Sequence, residues 1–222
     1  MDVQEKPKGK LRTGFTTGTS ATAASMAAIL SIINQKKIES VDVLLPKKDK
    51  IKININSCKF DKNKARCSVI KDGGDDPDVT HGAEIVVDLE LTTKPNSIEI
   101  DGGEGVGRVT KPGIGLEIGQ AAINPIPRKM ITENLTLTGK KILEKNGIKV
   151  VISVPKGKEL GPKTDNPRIG IVDGISILGT SGIVIPYSTA SFAAAIRQQI
   201  DVVVSMGDDT VILTTGGRSE DY

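Results

Sequence analysis

IEIDGGEGVGRVTKPGIG, residues 98–115, combines two features that govern the interpretation of the whole chain. It opens with the apolar–polar alternation of a half-buried β-strand. It then enters a run of six residues that contains Gly102, Gly103, Gly105 and Gly107. Such a run is either a flexible turn or a loop whose backbone approaches a ligand closely, with successive amides forming a nest for an anion. Neither standard nucleotide-binding glycine motif is present.

Composition limits the classes of function. The 222 residues allow one large domain, or one domain and part of a second. Aromatic residues make up only 2% and Trp is absent, which argues against nucleic-acid binding through stacked aromatics. A net charge of +3 suits a small polyanionic ligand held by a local cationic cluster better than a nucleic acid.

Cysteine and histidine usage and the hydropathy pattern predict a cytoplasmic protein. Cys58 and Cys67 fall on neighbouring predicted strands, and no secretory leader is expected, so we predict reduced thiols. A single His and two Cys make a metal site built from His and Cys ligands improbable. No apolar run approaches a membrane span, so no membrane partner is expected, whereas a homo-oligomer stays possible.

Residues 1–10 are charged and predict a mobile tail. The segment LRTGFTTGTS at 11–20 then leads into an apolar helix, for which Thr19 or Ser20 is the expected N-cap. The glycines and hydroxyls at this end predict either an anion seat or an ordinary cap. The hydroxyl candidates are Thr16, Thr17 and Thr19.

Alternating apolar residues predict strands at 38–46, 50–60, 65–71 and 83–92, in a sheet with one buried face and one solvent-exposed face. Between the last two strands lies KDGGDDPDVTHG, residues 71–82, where acidic residues crowd next to His81. Mutual repulsion requires compensation. A solvated turn, a hard-metal site and a ligand-binding loop all fit this pattern. The carboxylates of interest are Asp75, Asp76 and Asp78.

The second half predicts an α/β arrangement. Prolines at 125 and 127 open a second helix that precedes a buried strand at 148–155. A long segment at 155–186 carries Lys163 and Arg168 and is too apolar for disorder. A helix at 188–207 then leads to a strand at 211–213, followed by Thr214, Gly216 and Gly217. This is how a parallel α/β unit begins, so we expect it to be completed by something outside the sequence.

Several segments together resemble the CbiD family of anaerobic cobalamin biosynthesis, the cobalt-precorrin-5B C(1)-methyltransferases. The resemblance runs from about residue 11 to residue 220. Family members often have Cys where Ser20 stands, so a nucleophile at that position is not supported, and their chains continue beyond the GGRSE segment. The matching stretches are TGFTTGTS, KDGGDDPDVTHG, GGEGVGRVTKPGIG, AINPIPRKMI, ISVPKGKELGPKTDNPRIGIVDGISILGTSGI and LTTGGRSE.

The resemblance implies transfer of a methyl group from S-adenosylmethionine to carbon 1 of a cobalt-corrinoid, with the cobalt carried by the substrate. It implies an α+β domain at 11–186 that resembles a permuted ribosomal S5 domain 2. It also implies the start of a small parallel α/β domain at 187–222.

This chemistry assigns hypothetical roles to the residues singled out above. Asp78 or His81 would be the base, if one is needed. The methyl donor would contact Gly102, Gly103, Gly105, Gly107, Asp75, Asp76, Thr214, Gly216 and Gly217. The substrate carboxylates would bind basic and hydroxyl groups, namely Thr16, Thr17, Thr19, Arg108, Lys111, Arg128, Lys163 and Arg168.

Two alternatives from other classes stay open. A small-molecule kinase with an S5-like fold would use the glycine loop for ATP phosphates. A non-catalytic tetrapyrrole carrier would bind the corrinoid without responding to S-adenosylmethionine.

Overall fold

The computed structural model describes residues 9–214 and shows a mixed α and β chain. Its helices are α1 (Thr17–Asn34), α2 (Pro125–Leu143), α3 (Gly157–Leu160) and α4 (Thr189–Ser205), with a 3-10 turn at Gly161–Lys163. Its strands are β1 (Gly14–Phe15), β2 (Ser40–Leu44), β3 (Lys50–Asn54), β4 (Ser57–Phe60), β5 (Lys64–Ile70), β6 (Glu84–Thr92), β7 (Ile98–Gly102), β8 (Arg108–Val109), β9 (Gly147–Ser153), β10 (Ile171–Val172) and β11 (Ile183–Val184).

The main sheet has five strands in the order β4-β5-β6-β9-β7. Neighbouring strands are antiparallel except β7 and β9, which are parallel because α2 carries the chain back between them. The predicted alternation is visible in β6, where Ile85, Val87 and Leu89 are buried on one face and the other face carries Asp88 and Glu90 together with Val86, which is also buried. One face of the sheet therefore carries the core and the other carries charged side chains.

Helix α1 packs on β5 and β6, and α2 lies beside it. The two helices run parallel, since Gly18 lies against Pro127 at one end and Ile29 lies against Gly139 further along. Helix α1 is buried on nearly all sides, as its Ala-rich sequence predicts. Its buried hydroxyls remain bonded, as shown by Thr22, which donates to the Gly18 carbonyl at 2.8 Å.

The strand predicted at 50–60 is two strands in different sheets. Strand β3 pairs with β2 in a separate hairpin, whereas β4 pairs with β5 in the main sheet. The partner changes at Ile55 and Asn56, whose amides donate to residues 39 and 68, both at 2.8 Å. In the second hairpin Cys58 and Cys67 are cross-strand partners, and both are buried free thiols.

Two short antiparallel pairs, β1–β11 and β8–β10, connect the long segment at 155–186 to the rest of the fold. The β8–β10 pair contributes to a second apolar cluster, to which α4 adds Val202, its only buried residue, whereas Phe15 and Ile183 of β1–β11 pack against the main core. The members of this cluster are Val109, Ile114, Ala122, Ile169, Ile171 and Val202.

Two predictions differ from the structure, and a third lies largely outside the described residues. Helix α1 begins at Thr17 and is capped by Thr16, whose hydroxyl accepts from the Thr19 amide at 3.2 Å, so the predicted caps at positions 19 and 20 are wrong. Residues 208–214 form neither helix nor strand, because no described strand pairs with them. Residues 1–8 of the predicted tail lie outside the described range.

Candidate functional site

The glycine loop at 102–107 uses most of its amides inside the protein. Gly103 and Gly107 donate their N–H groups to carbonyl oxygens of neighbouring segments at 2.7 and 2.9 Å. Gly102 donates to the Asp101 carboxylate at 2.8 Å. Each of these three amides therefore already has an acceptor within the protein. Contact of Gly102, Gly103, Gly105 and Gly107 with a methyl donor stays a prediction.

The glycines instead allow three backbone segments to touch. A Cβ atom on Gly105, where φ is +72°, would lie 1.9 Å from the carbonyl oxygen of Val154. A Cβ on Gly157 or on Gly174 would lie 2.0 or 2.3 Å from the carbonyl oxygen of Gly105. No side chain fits at these distances, so the loop is a packing junction.

Asp101 and Arg108, the residues on either side of this loop, line a cleft of about 580 Å³ between the edge of β7 and the start of α2. We call it the arginine cleft. Its polar lining consists of Asp101, Arg108, Gln120 and Arg128. Its apolar lining consists of Ile100, Leu116, Ile118, Ala121 and Pro125.

Both guanidinium groups are held by the edge of the sheet. Strand β7 is an outer strand, so carbonyls on its free side lack a neighbouring strand. Arg128 donates from Nη1 to the Ile100 carbonyl at 2.8 Å. Arg108 donates from Nη2 to the Gly102 carbonyl at 2.5 Å and from Nη1 to Asp101 Oδ1 at 3.1 Å. These bonds fix the orientation of the two cations.

The cleft is electropositive. Burial lowers the pKa of Arg128, the neighbouring charge of Arg108 lowers it further, and Asp101 opposes both effects. Two guanidinium groups thus lie close together with a single carboxylate among the lining residues. Guanidinium groups bind carboxylates in a planar, charge-assisted geometry. The arrangement is suited to a ligand that is apolar in its body and anionic at its edge.

The other predicted cations do not line this cleft. The Lys111 side chain lies over Gly170, and Lys163 and Arg168 are exposed in the segment that follows α3. Their substrate contacts stay predictions.

The threonines at the start of α1 anchor a loop. Thr17 accepts from the Leu178 amide at 2.9 Å, and Thr19 donates to the Gly182 carbonyl at 2.7 Å. Together with the cap residue Thr16, all three are buried. The Gly18 amide also donates to the Leu178 carbonyl, at 3.0 Å. These groups are therefore bonded within the chain, and the contact of the three threonines with a substrate stays a prediction.

In the acidic loop, Asp78 forms a buried ion pair. The Lys71 side chain is only 2% exposed, and its Nζ lies 2.5 Å from Asp78 Oδ2. The other oxygen of Asp78 accepts from the amide and the hydroxyl of Thr80 at 2.7 and 2.6 Å. Burial opposes ionisation, but Lys71 and Thr80 together hold the pKa of Asp78 below its usual range. This geometry favours a structural role over the predicted base.

We expect Asp78 to shape the acid dependence of stability. Its pKa is lower in the folded state than the unfolded value of about 3.9. The stabilisation is therefore complete above that value and is lost as pH falls through the folded pKa. Asp78→Asn should lower stability at neutral pH and flatten its decrease below about pH 4, measured by urea unfolding across a pH series. Asp88→Asn, which removes a carboxylate from an exposed ion pair, is the control. If the stability of Asp78→Asn depends on pH in the same way as that of the wild type, the structural role of the Asp78 ion pair is contradicted.

His81 is fixed in one tautomer. Its Nδ1 accepts from the Gly73 amide at 3.0 Å and lies 3.7 Å from Asp72 Oδ1. Neutral His81 therefore carries its proton on Nε2 and is arranged as a donor rather than as the predicted base. Asp72 itself is bonded to Arg12, and this hydrogen bond is the main reason that the pKa of Asp72 is lowered.

The two carboxylates predicted to contact the methyl donor also hold the loop in place. Asp75 accepts from the Arg12 amide at 2.6 Å, and Asp76 accepts from the Tyr187 amide at 2.8 Å. Thr214 is exposed, whereas Gly216 and Gly217 lie outside the described residues. Contact of these residues with a donor stays a prediction.

Within residues 9–214, no group of three or more His, Cys, Asp or Glu side chains is arranged to hold a metal ion. Over the same range, no helix has both the length and the apolar character that crossing a bilayer requires.

A second cavity, of about 510 Å³, lies over the charged face of the sheet. Its charges largely satisfy one another: Arg66 lies 2.7 Å from Asp88, and Lys64 lies 2.9 Å from Glu90. The second cavity is lined by four cations and three carboxylates, whereas the arginine cleft has two guanidinium groups and one carboxylate. The arginine cleft, with the higher ratio of cations to carboxylates, is therefore the stronger candidate for an anionic ligand.

Sequence reasoning missed two polar residues of the arginine cleft, Asp101 and Gln120. Asp101 ends a predicted strand and stands seven residues before its partner Arg108. An acidic residue and an arginine that flank a tight loop were a usable indication that the two side chains meet. Gln120 lies in an irregular segment and had no such indication.

Comparison with known proteins identifies the family of the chain. The CbiD family model matches residues 3–186. A cobalt-precorrin-5B C(1)-methyltransferase of Leptospira interrogans is 50% identical over 215 residues, which are 96% of this chain and 58% of the relative. The enzyme of the same name from Geobacillus kaustophilus is 49% identical over 97% of this chain and 58% of its own.

A crystal structure of cobalamin biosynthesis protein (cbiD) from Archaeoglobus fulgidus is also similar, with a TM-score of 0.61 and 33% identity. The match covers 86% of this chain and 60% of that one. The chain spans about 58% of the length of the curated relatives it matches. On the extent of the family match and the identity to these relatives, the chain belongs to the CbiD family.

Proposed function

We propose that this chain acts in the transfer of a methyl group from S-adenosylmethionine to carbon 1 of cobalt-precorrin-5B, giving cobalt-precorrin-6A in anaerobic cobalamin biosynthesis. The methyl donor is the cofactor, and the cobalt belongs to the substrate. Family membership and the printed names of the relatives support the reaction. We further propose that the protein works in the cytoplasm.

The arginine cleft is the observation that carries the proposal. Arg108 and Arg128 form a cationic pair beside an apolar wall that includes Leu116, Ile118 and Pro125. A corrinoid presents a broad apolar ring edged by acetate and propionate carboxylates. The ring edge would meet the guanidinium groups while the ring face lies on the apolar wall.

The contribution of the cleft to catalysis is positioning. Methyl transfer to carbon requires the donor methyl and the acceptor carbon to lie in line, and favourable orientation alone is worth about 7–11 kcal/mol in the best cases. Arg108 and Arg128 are each bonded to carbonyls of β7, so carboxylates bound to them take their position from the sheet. A ring held at its edge in this way cannot rotate freely.

We also propose the finer fold relationships. A permuted ribosomal S5 domain 2 is supported by the unit β7–α2–β9, in which two parallel neighbouring strands flank a helix, and by the position of α1 and α2 together. We propose that α4 begins a second, parallel α/β domain. Its exposure supports this, since Val202 is its only buried residue.

An assay with cobalt-precorrin-5B, S-adenosylmethionine and Mg-ATP tests the proposed function against its two alternatives. The protein is incubated with cobalt-precorrin-5B and S-adenosylmethionine, and the products are analysed by mass spectrometry. We expect the corrinoid to gain the mass of one CH₂ and S-adenosylhomocysteine to form in equal amount. Corrinoid binding without turnover would support a carrier, and binding of Mg-ATP but not of S-adenosylmethionine would support a kinase.

A further inference from the structure

We propose that Asp101 is a specificity-determining residue of the arginine cleft: its carboxylate is a built-in counter-ion that a ligand must displace with carboxylates of its own. This inference rests on the proposed function, because it takes the cleft as the place where the substrate edge binds. It adds a selection rule, namely that ligands with several carboxylates are favoured over ligands with one.

Asp101 occupies the position that a ligand carboxylate would take. Its Oδ1 lies 3.1 Å from Nη1 of Arg108, and it is the only acidic side chain among the residues that line the described cleft. It is also close enough to Arg128 to interact with that charge. The two cations and this carboxylate thus form one electrostatic unit.

The same carboxylate is easy to displace. The Asp101 side chain is 59% exposed, and that of Arg108 is 40% exposed, so the ion pair between them contributes little stability. The same oxygen, Oδ1, also accepts from the Gly102 amide at 2.8 Å, and this bond would be exchanged together with the Arg108 contact. Rotation of the side chain away from Arg108 would leave its charge in water.

Displacement by a single carboxylate is nevertheless unfavourable. Asp101 is attached to the same chain as Arg108, and this gives it a high effective concentration beside the guanidinium. A ligand with one carboxylate must compete with it without help. A ligand whose second carboxylate reaches Arg128 gains from both contacts, because its second binding event is intramolecular. The cleft therefore selects polycarboxylates.

Two variants of strand β7 separate this role from a general change of charge. Asp101→Asn removes the charge and keeps an oxygen that can accept from the Gly102 amide. Glu99→Gln is the matched control, since it makes the same charge change two positions earlier on an exposed site of the strand that does not line the cleft. Asp101→Glu keeps the charge and tests for rescue.

The probes are uroporphyrin, which carries acetate and propionate groups, and acetate as a competing monocarboxylate. Titration calorimetry and fluorescence report uroporphyrin binding to each variant. We expect Asp101→Asn to bind uroporphyrin about fivefold more tightly, as expected for removing one like charge about 4 Å away in a solvated site. We also expect acetate to compete measurably with uroporphyrin only when the protein is this variant.

The control variants should behave differently from Asp101→Asn. Glu99→Gln should change the affinity for uroporphyrin much less, and Asp101→Glu should stay near the wild type. In all variants the affinity should fall as ionic strength rises, because the cleft is open to solvent.

The outcomes distinguish this inference from the proposed function. If the wild type binds uroporphyrin and Asp101→Asn binds no more tightly, the inference is overturned and the proposed function stands. If binding survives unchanged in Arg108→Ala, the ligand lies elsewhere and the cleft assignment falls with the inference. If neither the wild type nor Asp101→Asn binds uroporphyrin, the inference is overturned, and the proposed function is decided by the methyl-transfer assay with cobalt-precorrin-5B.

Discussion

Replacing Lys71 with Met is expected to lower the free energy of unfolding by about 3–5 kcal/mol, the usual cost of leaving a buried charge without its partner. The Lys71 side chain is 2% exposed and that of Asp78 is 21% exposed, so water cannot readily take the place of the ammonium group. Chemical denaturation at neutral pH measures the loss. Lys64→Met, which removes an exposed partner of Glu90, is the control and should cost less than about 1 kcal/mol.

A second variant tests the cause of the loss. In Lys71→Met/Asp78→Leu both charges are absent, so the desolvation penalty of the unpaired carboxylate disappears and much of the stability should return. If Lys71→Met alone is as stable as the Lys64→Met control, Asp78 is solvated in the folded protein. The structural role given to Asp78 would then be contradicted, and its predicted role as a base would stand again.

Replacing Arg108 and Arg128 together with Ala is expected to lower the affinity for cobalt-precorrin-5B at least about a hundredfold. Hydrogen bonds to charged groups contribute about 1.5–3 kcal/mol each, and two guanidinium groups would be lost from the substrate edge. Titration calorimetry with the corrinoid measures the effect. Unchanged affinity in a folded double variant would remove the arginine cleft from the proposed site.

Single substitutions separate binding from folding in this experiment. Arg128 also donates from Nε to the Ile123 carbonyl at 3.0 Å and so joins the start of α2 to β7. Arg128→Ala should therefore lose some stability, which circular dichroism will show, whereas Arg108→Ala should lose mainly affinity. Arg66→Ala removes a guanidinium from the charged face of the sheet and is expected to leave corrinoid binding unchanged.

The elements that sequence patterns predict well are those fixed by local rules. The apolar composition of α1 predicts a buried helix, and the alternation in β6 predicts a sheet with one wet face. The start of α2 is equally clear, because Pro125 and Pro127 lack amide hydrogens that the first turn would leave unpaired.

The features that sequence patterns predict poorly depend on distant partners. The apolar alternation of Ile51, Ile53 and Ile55 resumes one residue out of phase at Cys58 and Phe60, but this local shift does not show that β3 and β4 pair in different sheets. Glycine is required both for binding an anion through amides and for packing backbone against backbone. Only the position of Val154 shows which of these Gly105 serves. In the same way, the hydroxyl of Thr17 accepts a hydrogen bond from the amide of Leu178, which lies more than a hundred positions away in the sequence.

The meeting of backbones at Gly105, Gly157 and Gly174 has a consequence for affinity. Side chains adapt to a ligand by changing rotamer, but a junction made of main-chain atoms has no rotamers to change. The wall that carries Asp101 and Arg108 is therefore preorganised, and little conformational entropy is lost when a ligand is bound against it. The same rigidity limits induced fit, so a macrocycle with differently spaced acidic groups would be rejected by shape as well as by charge.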